Sequence, residues 1–266
     1  KQYVYCVRNM VKHFMRPPDE LTIDDINEFQ LHLTKERQVA WSTFNIYVFA
    51  LRTFFLVTLK KDWEITAIPY QKTGRKLPVV FNGSELKALF AAVANIKHRA
   101  ILMSTYSAGL RVSETVHLRV PDIDSERMVI RVDQGKGRKD RYVPLSERLL
   151  PVLRMYWKAA RPGDWLFPGQ IPGRPLTRSS VERVFKKATQ SAEITKKVTV
   201  HSLRHSFATH LLEGGTDIRT IQRLLGHRSL SSTQVYTHVA KNYVNQAGSP
   251  LDHLDGLEEL LPLKKS

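Results

Sequence analysis

The sequence predicts a mainly α-helical fold with a small antiparallel β-sheet (α+β), divided into two unequal domains. Three observations lead there. Residues 1 to about 62 carry three helical stretches, parted by Pro17-Pro18 and by a polar run near Glu36 to Ala40. A basic segment without periodicity, AIPYQKTGRKLP, follows between Ile65 and Pro78 and reads as a linker. From Val79 onward the pattern is helical again, except that Met128–Val132, the loop DQGKGRKD and Arg141–Val143 read as strand, loop and strand. The boundaries so drawn are 1–70 for a helical domain, 71–78 for the linker and 79–266 for a second domain whose tail begins at 241.

In the first domain Thr22 and Asp25 have the spacing of a capping box, and Ile26, Phe29, Leu31 and Leu33 continue the helix it starts. The stretch WSTFNIYVFALRTFFLVTLKK sets Phe44, Tyr47, Val48, Leu51 and Phe55 on one stripe, which is expected to be core. Asn45 and Arg52 lie on the opposite side, with Ser42 and Thr43 at the helix start, where hydroxyls and free backbone N–H groups readily meet phosphate. From these residues alone a solvated face and a DNA-facing one are equally good readings.

In the second domain Leu203, Phe207 and Leu211 recur every four residues and should face a core, which turns His201, Arg204 and His205 to another face. Gly214-Gly215 should end this helix, Thr216 or Asp217 cap the next, and Ile218, Ile221, Leu224 and Leu225 form its buried stripe before Gly226 stops it and exposes His227. The tail breaks at Gly248-Ser-Pro250 and ends in LDHLDGLEELL, an acidic, leucine-bearing segment.

Composition narrows the partner. Forty-one Lys and Arg against 25 Asp and Glu give a formal net charge of +16, which points to a polyanion, nucleic acid first and an anionic membrane surface second. No apolar run approaches the ~20 residues a membrane span needs, and no secretory signal begins the chain, so a cytoplasmic, nucleoid-associated protein is expected. The single cysteine, Cys6, excludes an internal disulfide and a cysteine-built zinc site, and its helical apolar context favours a core role. Lys1 in place of Met implies a native N-terminus upstream.

Three chemistries compete for HSLRHSFATHLLEGGTDIRTIQRLLGHRSLSSTQVY. A zinc site would use His201 and His205 at i, i+4, but the position of the HExxH glutamate is Ser202 and Arg204 would repel a cation. A helix-turn-helix reader would present Arg219 and Arg223 to a groove. A phosphoryl-transfer centre accounts for more residues, because it also engages Arg111 in SAGLR and Lys136 in the hairpin loop. Arginine forks bind two non-bridging phosphate oxygens at once, and Tyr236 would be the nucleophile. With a reference pKa near 10, about one tyrosine in a thousand is ionised at pH 7, so roughly 4 kcal/mol must come from a base or a cationic pocket.

In order, SAGLR (Arg111), GKGRKDRYVPL (Lys136), HSLRHSFATHLLEGG (His201, Arg204), LLGH (His227) and VYTHV (Tyr236) resemble the tyrosine recombinases of the phage-integrase class, in outline the bacterial Xer-type and transposon-borne members. The nine residues from His227 to Tyr236 match the family spacing, whereas Tyr243 does not. The resemblance implies an N-terminal helical core-binding (SAM-like) domain, short of its first helix, and a tyrosine-recombinase catalytic domain, the two clamping duplex DNA. It makes Ser42, Thr43, Asn45, Arg52, Arg138, Lys139, Arg141, Arg219 and Arg223 candidate DNA contacts. It also implies catalysis without metal or nucleotide cofactor, on DNA with paired inverted repeats, by a dimer per site and a tetramer in the synapse. Arg111 and Arg204 would bind the non-bridging oxygens with His227, Lys136 would protonate the leaving 5′-oxygen, and His201 would accept the tyrosine proton. A type IB topoisomerase and a non-catalytic DNA-binding regulator are the alternatives, while a metal-dependent DDE transposase would need a carboxylate cluster that the sequence does not display.

Overall fold

In a computed structural model the described residues are 2–71, 77–133 and 140–240, without the side chains of Ile65 and His238. The chain forms two compact units, Lys1–Lys76 and Leu77–Ser266.

The first unit is built from α1 (Gln2–Phe14), α2 (Ile23–Leu31) and α3 (Trp41–Arg52). Thr22 caps α2 in the expected box: its hydroxyl accepts from the Asp25 amide at 3.3 Å, and the Asp25 carboxylate accepts from the Thr22 amide at 2.8 Å. Both α2 and α3 loosen into a π-helical turn, His32–Glu36 and Thr53–Thr58. The stripe of Phe44, Tyr47, Val48, Leu51 and Phe55 is buried, with Met10, Ile26, Phe29 and Leu33 filling the same core. Each large aliphatic side chain buried in this way contributes about 1.5–3 kcal/mol. Leu31 departs from expectation at 50% exposure, because the apolar face of α2 passes through Phe29 and Leu33 and leaves Leu31 on the opposite side. Cys6 is buried in this core, and burial raises its thiol pKa.

The second unit begins with α4 (Gly83–Ala91), α5 (Ile96–Ser107) and α6 (Val112–Val116). Asn82 and Glu85 form the capping box of α4. An antiparallel sheet follows, in the order β1 (Ile123–Asp124), β2 (Val129–Val132), β3 (Arg141–Pro144), with Ile130 paired to Val143 and Ile123 to Ile130. Ile130, Val132 and Val143 turn into the core. The two longer strands occupy the segments expected of them. The two-residue β1 carries no periodicity of its own and exists through its partner β2.

Four helices complete the unit: α7 (Leu149–Ala160), α8 (Arg178–Ser191), α9 (Val200–Glu213) and α10 (Ile218–Leu225). The short α11 (Ser231–Gln234) runs into a 3₁₀ turn, Val235–His238. Helix α9 starts two residues earlier than the spacing of its leucines suggests, where the Thr199 amide donates to Ser202 Oγ at 3.2 Å. Asp217 caps α10, accepting from the amides of Arg219 and Thr220 at 2.9 Å each, and Gly226 ends it at φ 62°. A satellite core of Phe207, Ala208, Leu212, Ile221, Leu225 and Tyr236 locks α9, α10 and the 3₁₀ turn together. Of the stripe expected on α10, Ile221 and Leu225 are buried while Ile218 and Leu224 are half-buried. Among the described residues no helix is long and apolar enough to cross a membrane.

Candidate active site

The site assembles around a buried carboxylate. Glu114, in the first turn of α6, accepts from the Arg111 backbone N–H and from Arg111 Nη1, both at 2.8 Å. Arg141, reaching across from β3, donates Nη1 and Nη2 to the two oxygens of the same carboxylate at 3.0 and 2.8 Å, and Arg204 Nη1 stands 3.7 Å away. Burial alone would raise the Glu114 pKa, but the hydrogen bonds and charge of Arg141 and the bonds from Arg111 outweigh it and hold it at about 2.

Arg204 is 1% exposed, and backbone carbonyls take one hydrogen bond from each of its terminal nitrogens, which offsets part of the cost of burying the charge. Nη1 donates to the Gly109 carbonyl and Nη2 to the Leu225 carbonyl, each at 2.6 Å. Burial and the neighbouring Arg111 lower its pKa to about 10, which still leaves it cationic at neutral pH. The Gly109 carbonyl is available because Gly109 turns the chain out of α5 at φ +58°. Arg111 keeps 24% of its side chain exposed beside this anchored neighbour.

Three histidines and the tyrosine complete the constellation. His205 follows Arg204 on α9, and its Nδ1 lies 3.1 Å from the Tyr236 hydroxyl. The His201 ring meets the His205 ring edge to face, centroids 4.5 Å apart at 82°. His227, just past the glycine that ends α10, is fixed through Nδ1 to Thr233 Oγ1 at 3.0 Å. All three imidazoles have lowered pKa values, with desolvation leading. His205 falls to about 4 under burial, His201 and Arg204, and His227 to about 4 under burial, Arg204, Arg111 and the other two histidines. His201 keeps an exposed edge, yet the protein surrounds it closely enough for desolvation to lead there too, ahead of Arg204 and Arg111. Tyr236 is 2% exposed; burial raises its pKa while Arg204 and Arg111 pull against that rise.

Several expectations need correcting. The phenol of Tyr236 is bonded to His205, not to His201, because α9 turns His205 toward the 3₁₀ turn and leaves His201 at the rim. Arg141, expected as a DNA contact, is 12% exposed on its side chain and commits its fork to Glu114 and its Nε to the Leu224 carbonyl, so it braces the site. Asn45 exchanges two hydrogen bonds with the Gln71 backbone, at 2.7 and 2.9 Å. Arg52 donates twice to the Ile68 carbonyl and stacks over Tyr70. These two half-buried residues, expected as DNA contacts, hold the segment 68–71 against α3. Ser42 and Thr43 are exposed at the start of α3, and Arg219 and Arg223 on α10. Lys136, Arg138 and Lys139 lie outside the described residues.

Glu114 and His205 are the residues of this cluster that spacing underrates. Glu114 reads as an ordinary i, i+3 partner of Arg111, and His205 as half of a metal pair. Among the described residues no group of three or more His, Cys, Asp or Glu side chains is placed to hold a metal ion.

Two arginines thus lie anchored beside a tyrosine and three imidazoles, and comparison with known proteins places the chain in the tyrosine-recombinase class. The chain belongs to the phage integrase family, whose model matches residues 80–243, and the phage integrase N-terminal SAM-like domain matches residues 1–65. It is an enzyme of the tyrosine recombinase class. A protein of Sinorhizobium fredii named "Putative integrase/recombinase y4qK" is 47% identical over 253 residues, covering 95% of this chain and 82% of that protein. The tyrosine recombinase XerD of Staphylococcus aureus is 33% identical, covering 89% and 85%. Among solved structures, the XerH recombinase in a post-cleavage complex with a palindromic difH substrate matches the fold with TM-score 0.78 at 23% identity, covering 94% and 79%.

Proposed function

We propose that the protein is a site-specific DNA recombinase in which Tyr236 attacks a scissile phosphate, forms a 3′-phosphotyrosine and releases a 5′-hydroxyl. Energy retained in the covalent bond lets a 5′-hydroxyl from a partner duplex reverse the step, so that strands exchange through a Holliday junction. The observation that carries this reading is the convergence of Arg111 from the start of α6, His201 and Arg204 from α9, His227 after α10 and Tyr236 from the 3₁₀ turn, with Arg111 and Arg204 beside one buried carboxylate. Arg111 and Arg204 neutralise the non-bridging oxygens, where charge grows in the transition state, and preorganisation by Glu114, Gly109 and Leu225 spares the cost of ordering them. His227 adds a hydrogen bond to the same phosphate, and Lys136 delivers the proton to the leaving oxygen.

Duplex DNA with paired inverted repeats is the substrate, bound by a dimer at each site and a tetramer in the synapse. The relatives named XerD, and the XerH structure with its difH DNA, are consistent with such a partner, as is the +16 charge.

The test is a duplex chosen by binding from a random pool and nicked beside the cleavage position, so that the released fragment diffuses away. The wild type should accumulate a covalent protein–DNA adduct, and Tyr236→Phe should form none. An adduct with the phenylalanine variant excludes Tyr236 as nucleophile.

A further inference from the structure

We propose that His205 is the residue that holds the phenol of Tyr236 and takes its proton as the tyrosine attacks phosphorus. This rests on the recombinase reading above and assigns a step within it.

Geometry comes first. The Tyr236 hydroxyl lies 3.1 Å from His205 Nδ1, inside the range at which a base removes a proton directly. The two rings are 5.7 Å apart at 55°, which keeps the hydroxyl near the imidazole edge and away from its face. His205 stands on the same turn of α9 as Arg204, whose guanidinium is pinned to the Gly109 and Leu225 carbonyls, so base and phosphate ligand are carried by one rigid element. The His201 ring braces His205 from the side, at 4.5 Å between centroids. The described contacts of His201 thus reach the phenol through His205.

The charges around the pair suit the role. Facing it are His201 and Arg204 from α9, His227 from the loop after α10, Arg111 from the start of α6, and Tyr236 itself from the 3₁₀ turn. In this surrounding His205 is neutral, and the proposal takes the tautomer protonated on Nε2, whose Nδ1 lone pair accepts from the phenol. A phosphate bound between Arg111 and Arg204 offsets the positive charge that lowers the basicity of His205, so the base strengthens when substrate arrives.

The step balances. The phenol proton passes to Nδ1, the tyrosine oxygen bonds to phosphorus, the bond from phosphorus to the 5′-oxygen breaks, and that oxygen takes a proton from the general acid of the site. In rejoining, the imidazolium returns its proton to the departing tyrosine oxygen, as microscopic reversibility requires.

The experiment is single-turnover adduct formation by the full chain on the nicked duplex, with an ordinary phosphodiester and with a 5′-bridging sulfur. A thiolate leaves without being protonated, so sulfur rescues a defect in the leaving-group acid and leaves a defect at the nucleophile unrepaired. His205→Ala and His205→Gln should be slowed about 100-fold on both substrates at saturating DNA, the deficit narrowing from pH 6 to pH 9 as hydroxide substitutes for the base. His201→Gln should lose less. The glutamine variant keeps the size and a hydrogen-bonding amide but cannot take a proton, and it decides the matter if His205→Ala loses its fold. Rates within about threefold of wild type, or recovery on the sulfur substrate, would overturn the assignment. If the wild type itself forms no adduct, the recombinase reading has failed instead.

Discussion

Arg204 donates to the carbonyl of Gly109 at 2.6 Å across 95 residues of sequence, joining α9 to the turn that precedes Arg111. The glycine is required there on two counts. Its φ is +58°, and a Cβ at that position would lie 2.3 Å from Phe207 Cδ1.

Gly109→Ala should therefore cost about 2–4 kcal/mol, from left-handed backbone strain and overpacking together. Urea denaturation measures the loss directly. Adduct formation should fall further than the unfolded fraction explains, since the carbonyl that anchors Arg204 must shift.

Glu114→Gln removes the charge that three arginines share. The folded pKa of Glu114, about 2, lies below its ordinary 4.5, so its contribution is present above pH 4.5 and is lost as pH falls toward 2. That contribution is about 3 kcal/mol at neutral pH. The wild type should lose stability across this window in acid denaturation, and the variant should start lower and show a flatter slope. Equal slopes would show that Glu114 does not carry the linkage.

The histidines titrate in a different window. His205 and His227 are held near 4, below the usual 6.5, so the fold favours their neutral forms. Stability from this source is present above pH 6.5 and falls as pH drops from 6.5 toward 4, where the unfolded chain takes up protons that the folded one refuses. The His205 and His227 resonances followed by NMR should stay in the neutral position at pH 6. Midpoints near 6.5 would contradict the buried arrangement.

Arg141 and the α10 arginines should separate cleanly. Arg141→Ala removes a bidentate brace with 12% exposure and should destabilise by about 3–5 kcal/mol while leaving the salt dependence of DNA binding unchanged. Arg219→Ala or Arg223→Ala, at exposed positions, should leave stability within about 0.5 kcal/mol and reduce the salt slope by about one each. The reverse pattern would restore Arg141 as a phosphate contact.

Much of the architecture was legible because local rules act over short stretches. The Thr22 box, the Phe44–Phe55 stripe, the strands flanking the basic loop and the Gly226 stop each depend on residues within a few positions of one another. Residues with two possible partners were not legible. Asn45 and Arg52 have the composition of a DNA-facing edge, and only the return of Ile68–Gln71 along α3 shows what fills their hydrogen-bonding capacity. The strand β1 is too short to carry a period.

The sequence by itself determined the helical and strand segments, the charge that calls for a polyanion, and which residue types stand in recombinase order. Each of these follows from nearest-neighbour geometry or from composition. Only the tertiary structure decided that Glu114 gathers Arg111, Arg141 and Arg204, and that Tyr236 meets His205 and not His201. Those choices rest on hydrogen bonds a few ångströms long between segments up to about a hundred residues apart, where spacing carries no direction and burial leaves each polar group only the partners packed against it.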